Sequence, residues 1–269
     1  MKLCIIAGSG GLPVQLAKQN KDAFVLCIEK HSCTSFFENK SSIVSLLEPD
    51  NWIKILKLNN ISHIVMAGKI NRPKVINQKL SKNGEDLIKK ISFLGDDSSL
   101  RLIQKFFNSE GFEIIPLYSF LKDCFLPKGF YPEKNMLSSL QEYILESADV
   151  GIDLLNTISR FDIGQSVVVS SKLIHAIEGQ EGTNAMIDRA NFIITKNNLL
   201  GNKGPILIKI PKTNQNFNLD LPVIGVDTVK KCIKYGFSAL VVSSNGTIIF
   251  QLRKIMSLIK KNNFCIYVV

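Results

Sequence analysis

The run Asn218-Leu219-Asp220-Leu221-Pro222-Val223-Ile224-Gly225 places one carboxylate directly before a Leu-Pro step, in a stretch otherwise without charge. Pro222 fixes its own φ and biases Leu221 toward an extended backbone, so Asp220 is expected on a stiff edge. Gly225 then permits a turn before the helical pattern that begins near Val226. A carboxylate held rigidly suits a metal ion or a reacting water. The plainer alternative is a capping or turn aspartate.

Other polar groups collect at predicted strand ends. Glu178-Gly179-Gln180-Glu181-Gly182-Thr183 follows one strand-like run, and Asp162-Ile163-Gly164-Gln165-Ser166 precedes another. Two carboxylates so close repel unless a cation or a basic residue joins them, and hard oxygen ligands beside phosphate are what Mg²⁺ favours. Lys209 ends a further apolar run, and Asn214-Gln215-Asn216 leads toward Asp220. If these ends converge, carboxylates, a lysine and amides face one cleft.

In the first half, Gly8-x-Gly10-Gly11-x-Pro13 lies between a strand and a helix, where backbone N–H groups can cradle phosphate. It is not a full G-x-G-x-x-G, and a structural tight turn is the alternative. Gly68-Lys69-Ile70-Asn71-Arg72-Pro73 follows a second strand; Lys69 and Arg72 would suit phosphate oxygens, or form an ordinary βα loop. Asp97, in Gly95-Asp96-Asp97-Ser98, is either a helix N-cap or a polar ligand contact.

The elements that must position these groups read as strand and helix in alternation. Apolar runs at 3–7, 24–28, 61–67 and 112–116 alternate with helix-like stretches at 50–59, 84–93 and 97–110. In the last of these Leu100, Ile103, Phe106 and Phe107 form one stripe. Continuous apolar strands in such an order indicate a parallel sheet covered on both faces. Two prolines and a glycine near 127–135 read as a linker. Beyond it come a long helix at 136–160, strands at 166–170, 172–177, 206–210, 239–243 and 266–269, and helices at 183–195, 226–235 and 251–261. The expected organisation is a domain at 1–126, the linker, and a mixed α/β catalytic domain at 136–269.

Composition narrows the classes. A chain of 269 residues, 45% hydrophobic, can bury full cores. No apolar run approaches the roughly 18 residues of a membrane-spanning helix, and Leu3-Cys4-Ile5-Ile6-Ala7 is too short for a secretory core; a cytoplasmic protein is expected. The cysteines at 4, 27, 33, 124, 232 and 265 form no C-x-x-C pair, and His31, His63 and His175 are dispersed. The net charge of +10 is spread over many helix faces without interleaved aromatics, which argues against nucleic acid and leaves an anionic substrate or a membrane surface.

Six motifs occur in the order of one family: AGSGGLP at 7–13, GKINRP at 68–73, GDDSSLR at 95–101, FDIGQSVVV at 161–169, EGQEGT at 178–183 and DLPVIG at 220–225. Nearly end to end, the chain resembles the UDP-2,3-diacylglucosamine diphosphatases of lipid A biosynthesis, the type unrelated to metallophosphoesterases. The resemblance implies hydrolysis of the pyrophosphate of UDP-2,3-diacylglucosamine to 2,3-diacylglucosamine 1-phosphate and UMP. It also implies Mg²⁺ dependence and a Rossmann-like N-terminal domain joined to a family-specific C-terminal domain.

The family's essential aspartate matches Asp220. On the same basis Glu178 and Glu181 join Asp220 as metal ligands, and Gln165, Gly182, Thr183, Lys209 and Gln215 hold substrate. Gly8, Gly10, Gly11, Gly68, Lys69, Arg72 and Asp97 meet it from the first domain. The acylated substrate implies brief contact with the inner-membrane surface, and a homodimer is compatible with the family. Departures from the pattern are Asn216 and Asn218, where the family carries an acid and an arginine, and Asn184, where it carries an aspartate. Amides give a divalent ion less charge stabilisation, so metal affinity and turnover, rather than fold, are the properties they touch. The competing reading is a nucleotide-sugar binding protein without turnover. A Rossmann-type oxidoreductase is disfavoured by the imperfect glycine fingerprint.

Overall fold

A computed structural model describes residues 2–71, 91, 96–132, 137–199, 203–213, 215, 217 and 221–269. Apart from Ile91, which is helical, the helix expected at 84–93 lies outside the described residues, as do Arg72 and Asp220; of Asp97 only the backbone is described. The chain divides into two compact units, one of Met1–Phe120 and one of Leu121–Gln215 with Leu221–Val269.

The first unit is built on β1 (Leu3–Ala7), β2 (Phe24–Ile28), β3 (Ser41–Val44), β4 (His63–Ala67) and β5 (Glu113–Ile114), in the order β3-β2-β1-β4-β5. All neighbours pair in parallel. Every residue of β1 and β2 is buried, as expected of central parallel strands covered on both faces. The covering helices include α1 (Gly11–Gln19), α2 (Pro49–Leu58) and α3 (Asp96–Ser109). Pro49 opens α2 at a position where its missing N–H costs nothing, and Trp52, Ile53 and Leu56 form its buried stripe. Trp52 stacks on Phe107 of α3 with ring centroids 6.2 Å apart, closing the core over Ile6, Leu26 and Ile64. The strands at 3–7 and 24–28 coincide with expectation. Strand β3 was not anticipated: Ser41 and Ser42 dilute its apolar signal, and as an edge strand it buries only Val44.

The second unit carries a six-stranded mixed sheet in the order β6-β13-β11-β9-β7-β8. It comprises β6 (Gly129–Tyr131), β7 (Ser166–Ser170), β8 (Leu173–Ile177), β9 (Ile206–Lys209), β11 (Ala239–Val242) and β13 (Cys265–Val268). The central β9, β11 and β13 are parallel; β6 joins one side and the β7–β8 hairpin the other, all antiparallel. The stretch expected to be a linker thus contributes strand β6. Pro127 and Pro132 flank it rather than interrupt it, which a three-residue edge strand tolerates. Short parallel strands β10 (Val223–Ile224) and β12 (Ile248–Ile249) pair apart from this sheet.

Alternation along β9 sends Ile206, Ile208 and Ile210 to one face, against α4 (Ser138–Ile158). Leu207 points to the other face, toward α5 (Thr183–Lys196), α6 (Val226–Lys234) and α7 (Leu252–Lys261). Lys209 shares the parity of Leu207, and that parity decides where its ammonium goes.

Candidate active site

In the second unit the polar groups meet at the end of β9. Ser166, the first residue of β7, pairs with Lys209, the last of β9. Glu178 follows β8 directly and donates its N–H to the Ser166 carbonyl at 2.9 Å. The chain then turns through Gly179 and Gly182 into α5, whose first residue is Thr183. Gly182, at φ 80°, adopts a conformation that a side chain would strain. Three strand ends and a helix N-terminus therefore bring together side chains that the sequence separates by up to 44 positions.

The contacts form a relay. Lys209 Nζ donates to Thr183 Oγ1 at 2.7 Å, and Thr183 Oγ1 donates to Glu178 Oε1 at 2.8 Å. Ser166 Oγ lies 3.4 Å from the same hydroxyl, and the Gln165 N–H reaches Glu178 Oε2 at 3.4 Å. Glu178 and Lys209 are each only 7% exposed, so these charges meet through a hydroxyl in a place largely closed to water. The amino end of α5 adds its partial positive charge beside the Glu178 carboxylate. Gly164 admits the close approach of this loop, since a Cβ there would run into the Glu178 carbonyl.

Glu181 behaves differently. Its Oε1 takes a 2.5 Å bond from Arg189 and its Oε2 the N–H of Gly179 at 3.1 Å. The Arg189 guanidinium holds the Glu181 carboxyl below the usual carboxylate range. Arg189 also donates to the Ile177 carbonyl at 2.8 Å, at the outer edge of the sheet. The two glutamates, three positions apart in sequence, thus serve separate partners.

A second polar group surrounds the turn before β7. Asp162, at φ 53°, pairs through Oδ1 with Lys212. Thr213 donates to Ser159 Oγ from its N–H at 2.8 Å and from its hydroxyl at 2.9 Å. Gln215 Oε1 accepts the Lys212 N–H at 3.0 Å. Asp162 Oδ2 and Gln165 Oε1 are buried acceptors without a partner among the described residues. Asp162 stands among the polar groups that the sequence places before a strand, within the FDIGQSVVV motif, but its pairing with Lys212 is not visible there. Its neighbour Lys212 carried no signal, because a lysine in a polar loop is ordinarily solvated.

Leu221 is buried, and the Pro222 carbonyl accepts the Ile248 N–H at 2.8 Å. The adjacent Thr247 hydroxyl donates to the Lys209 carbonyl at 3.3 Å, which ties the described residues after position 220 to the same strand end. Asn184, the amide at a position where an acid was expected, accepts a 2.9 Å bond from Thr228 Oγ1 on α6.

In the first unit the glycine motif and the GKINRP motif do meet. Gly8 N–H bonds the Ala67 carbonyl at 2.8 Å, while Ser9 and Lys69 exchange backbone bonds of 2.8 and 3.0 Å. The Ser9 hydroxyl also reaches the Lys69 carbonyl at 2.8 Å. A Cβ on Gly8 would sit 2.7 Å from the Lys69 carbonyl oxygen, and one on Gly68 (φ 89°) 2.7 Å from that of Ser9. The glycines here permit two backbones to touch. Gly10 precedes α1 and Gly11 begins it.

Residues 2–124 match the family model described as the LpxI N-terminal domain, and residues 134–267 match the LpxI C-terminal domain. The chain belongs to the LpxI family. A family member from Caulobacter vibrioides, the UDP-2,3-diacylglucosamine pyrophosphatase LpxI, is 30% identical over 248 residues, covering 89% of this chain and 87% of the relative. Among solved structures, N5-carboxyaminoimidazole ribonucleotide synthetase from Thermotoga maritima aligns with 67% of this chain and 41% of its own at 12% identity. Its TM-score of 0.24 supports no inference. Among the described residues no helix is long and apolar enough to cross a membrane.

Proposed function

We infer that this LpxI-family protein hydrolyses the pyrophosphate bond of UDP-2,3-diacylglucosamine to 2,3-diacylglucosamine 1-phosphate and UMP in lipid A biosynthesis. The observation that carries the inference is a match to both family domains in a chain whose polar residues Glu178, Thr183 and Lys209 converge at one strand end. A diphosphate brings negative charge that needs fixed positive partners, and the reaction needs a positioned water. Lys209 and the N–H groups that open α5 supply the first requirement. Water oxygen bonds one phosphorus, the bridging P–O bond breaks, and the water proton leaves to a carboxylate. Asp220, on its motif, is the proposed group that positions this water. Gly182 and Gln215 shape the loops on either side, and Gly8, Gly10, Gly11, Gly68, Lys69, Arg72 and Asp97 are proposed to contact the uridine nucleotide or sugar.

Magnesium suits the oxygens available. Among the described residues no three acidic, cysteine or histidine side chains converge, but magnesium asks only for one or two carboxylates together with substrate phosphate and water. The buried oxygens of Asp162 and Gln165, which lack partners among the described residues, are fitting hard ligands, with Glu178, reached by the Gln165 N–H, and Asp220 from its motif as further proposed ones. Glu181, already compensated by Arg189, is better placed to hold the Gly179–Gly182 turn than to bind a cation. When bound, Mg²⁺ would neutralise phosphate charge.

On the same basis the enzyme is cytoplasmic, touches the inner-membrane surface briefly to collect its acylated substrate, and is compatible with a homodimer. The parallel order β3-β2-β1-β4-β5 supports a Rossmann-like first domain, and β6 assigns part of the 127–135 stretch to the sheet of the catalytic one.

The test is UMP release from UDP-2,3-diacylglucosamine with and without Mg²⁺ by the full chain and its Asp220→Ala variant. Loss of about a hundredfold or more in the variant is expected. Equal UMP release by both would overturn the assignment of Asp220. Tight substrate binding without any UMP would make the protein a non-catalytic binder.

A further inference from the structure

His31 is used by none of the foregoing chemistry, yet both of its ring nitrogens are committed. It stands just beyond the carboxyl end of β2, where Lys30 takes φ 66° and the His31 and Ser32 N–H groups both return to the Ile28 carbonyl, at 3.0 and 2.9 Å. The Ser32 hydroxyl donates to the Ala7 carbonyl at 2.6 Å, which ties this turn to the end of β1. From there His31 Nε2 meets the backbone N–H of Asn71 at 2.8 Å, 40 positions on. Its Nδ1 lies 3.0 Å from the Glu29 carbonyl oxygen. An N–H can only donate and a carbonyl only accept, so these two partners assign the proton to Nδ1 and leave Nε2 as the acceptor. A doubly protonated ring would have no lone pair to offer Asn71.

We propose that His31, as the neutral Nδ1–H tautomer, is a positioning residue that holds the Gly68–Asn71 segment for substrate. Two anchors then fix this segment: the Ser9–Lys69 backbone bridge at its start and the imidazole at its end. Between them the Lys69 side chain is exposed, on a backbone that cannot swing away from the Gly8–Gly10 turn. The inference rests on the proposed role of Lys69 in binding the nucleotide sugar. It adds a residue that acts through the loop without touching the ligand. Gln is the informative replacement, because its Oε1 can occupy the acceptor position of Nε2, whereas Phe keeps the ring and offers no acceptor.

Steady-state UMP release by the full chain should show KM raised about fivefold in His31→Phe, the weight of one net hydrogen bond, with kcat within about twofold. His31→Gln should restore KM to within about twofold of the native value. Ring ¹⁵N shifts of the native protein should identify Nδ1 as the protonated nitrogen. Lys69→Ala separates the two layers of inference. If Lys69→Ala leaves KM unchanged, the loop does not bind substrate and both ideas fall. If it raises KM while His31→Phe does not, only the role of His31 falls. A neutral ring protonated on Nε2, or equal KM for the Phe and Gln variants, would also overturn it.

Discussion

Replacing Thr183 with valine conserves shape and removes the hydroxyl that links Lys209 to Glu178 among the described residues. That hydroxyl sits 2.7 Å from the ammonium and 2.8 Å from the carboxylate. Each bond involves a charged group, and such bonds are worth about 1.5–3 kcal/mol each. Both charged residues are buried, so neither ion recovers full hydration when the link is cut. Thr183 itself is half-buried, so water can recover part of the loss, and a net cost near 3 kcal/mol follows. Native-state hydrogen exchange of the β7 and β9 amides reads this locally, without assuming that the two units unfold together. At about 1.4 kcal/mol per decade, protection should fall about 150-fold in Thr183→Val. Thr183→Ser, which keeps the hydroxyl, should lose no more than about fivefold. Indistinguishable exchange in the two variants would mean that the hydroxyl joins nothing of consequence, and the proposed cluster would lose its physical basis.

Gly68→Ala places a Cβ against the Ser9 carbonyl at positive φ and should cost about 2 kcal/mol or more, seen as a lower urea midpoint; an unchanged midpoint would contradict the close backbone contact. The Glu181–Arg189 bond lowers the folded pKa of Glu181, so its stabilisation is complete above the unfolded glutamate pKa and vanishes as pH falls through the lower folded value. The gap in melting temperature between native protein and Arg189→Met should therefore be widest at neutral pH and narrow on the acid side of the glutamate range, leaving the part owed to the Ile177 carbonyl; a gap that does not narrow refutes the pairing. Thr228→Val removes the donor to Asn184 and should cost about 1 kcal/mol in urea unfolding. Asn184→Asp keeps the acceptor, places its charge near Lys231, and should leave the melting temperature unchanged or higher; a clear drop would show that the amide nitrogen matters.

Much of this architecture was legible because buried parallel strands leave long apolar runs. The strands at 3–7, 24–28 and 166–170 and the helix from 183 follow directly from such runs and their punctuation. Strands β10 and β12 left no trace, since two residues cannot display a period. Strand β6 hid between prolines that look like a linker. At the site, Glu178, Thr183 and Lys209 were recognisable from their motifs and strand ends, but that Thr183 bridges the other two depends on the antiparallel pairing of β7 with β9. Local sequence does not encode that long-range register. The separation of Glu181 from Glu178 was equally invisible, because it depends on Arg189 reaching back one helix face from eight positions away.

Arg189 also acts at the margin of the second sheet. A strand edge with unsatisfied carbonyls and exposed side chains such as Leu173 and Ile174 invites another chain to add itself. By seating its guanidinium on the Ile177 carbonyl, Arg189 removes an acceptor that an intruding strand would need. At the opposite margin β6 offers three residues bracketed by Pro127 and Pro132, which contribute no N–H. Both flanks of the six-stranded sheet are thereby blunted, and a crowded cell gains little template for fibre growth from either side.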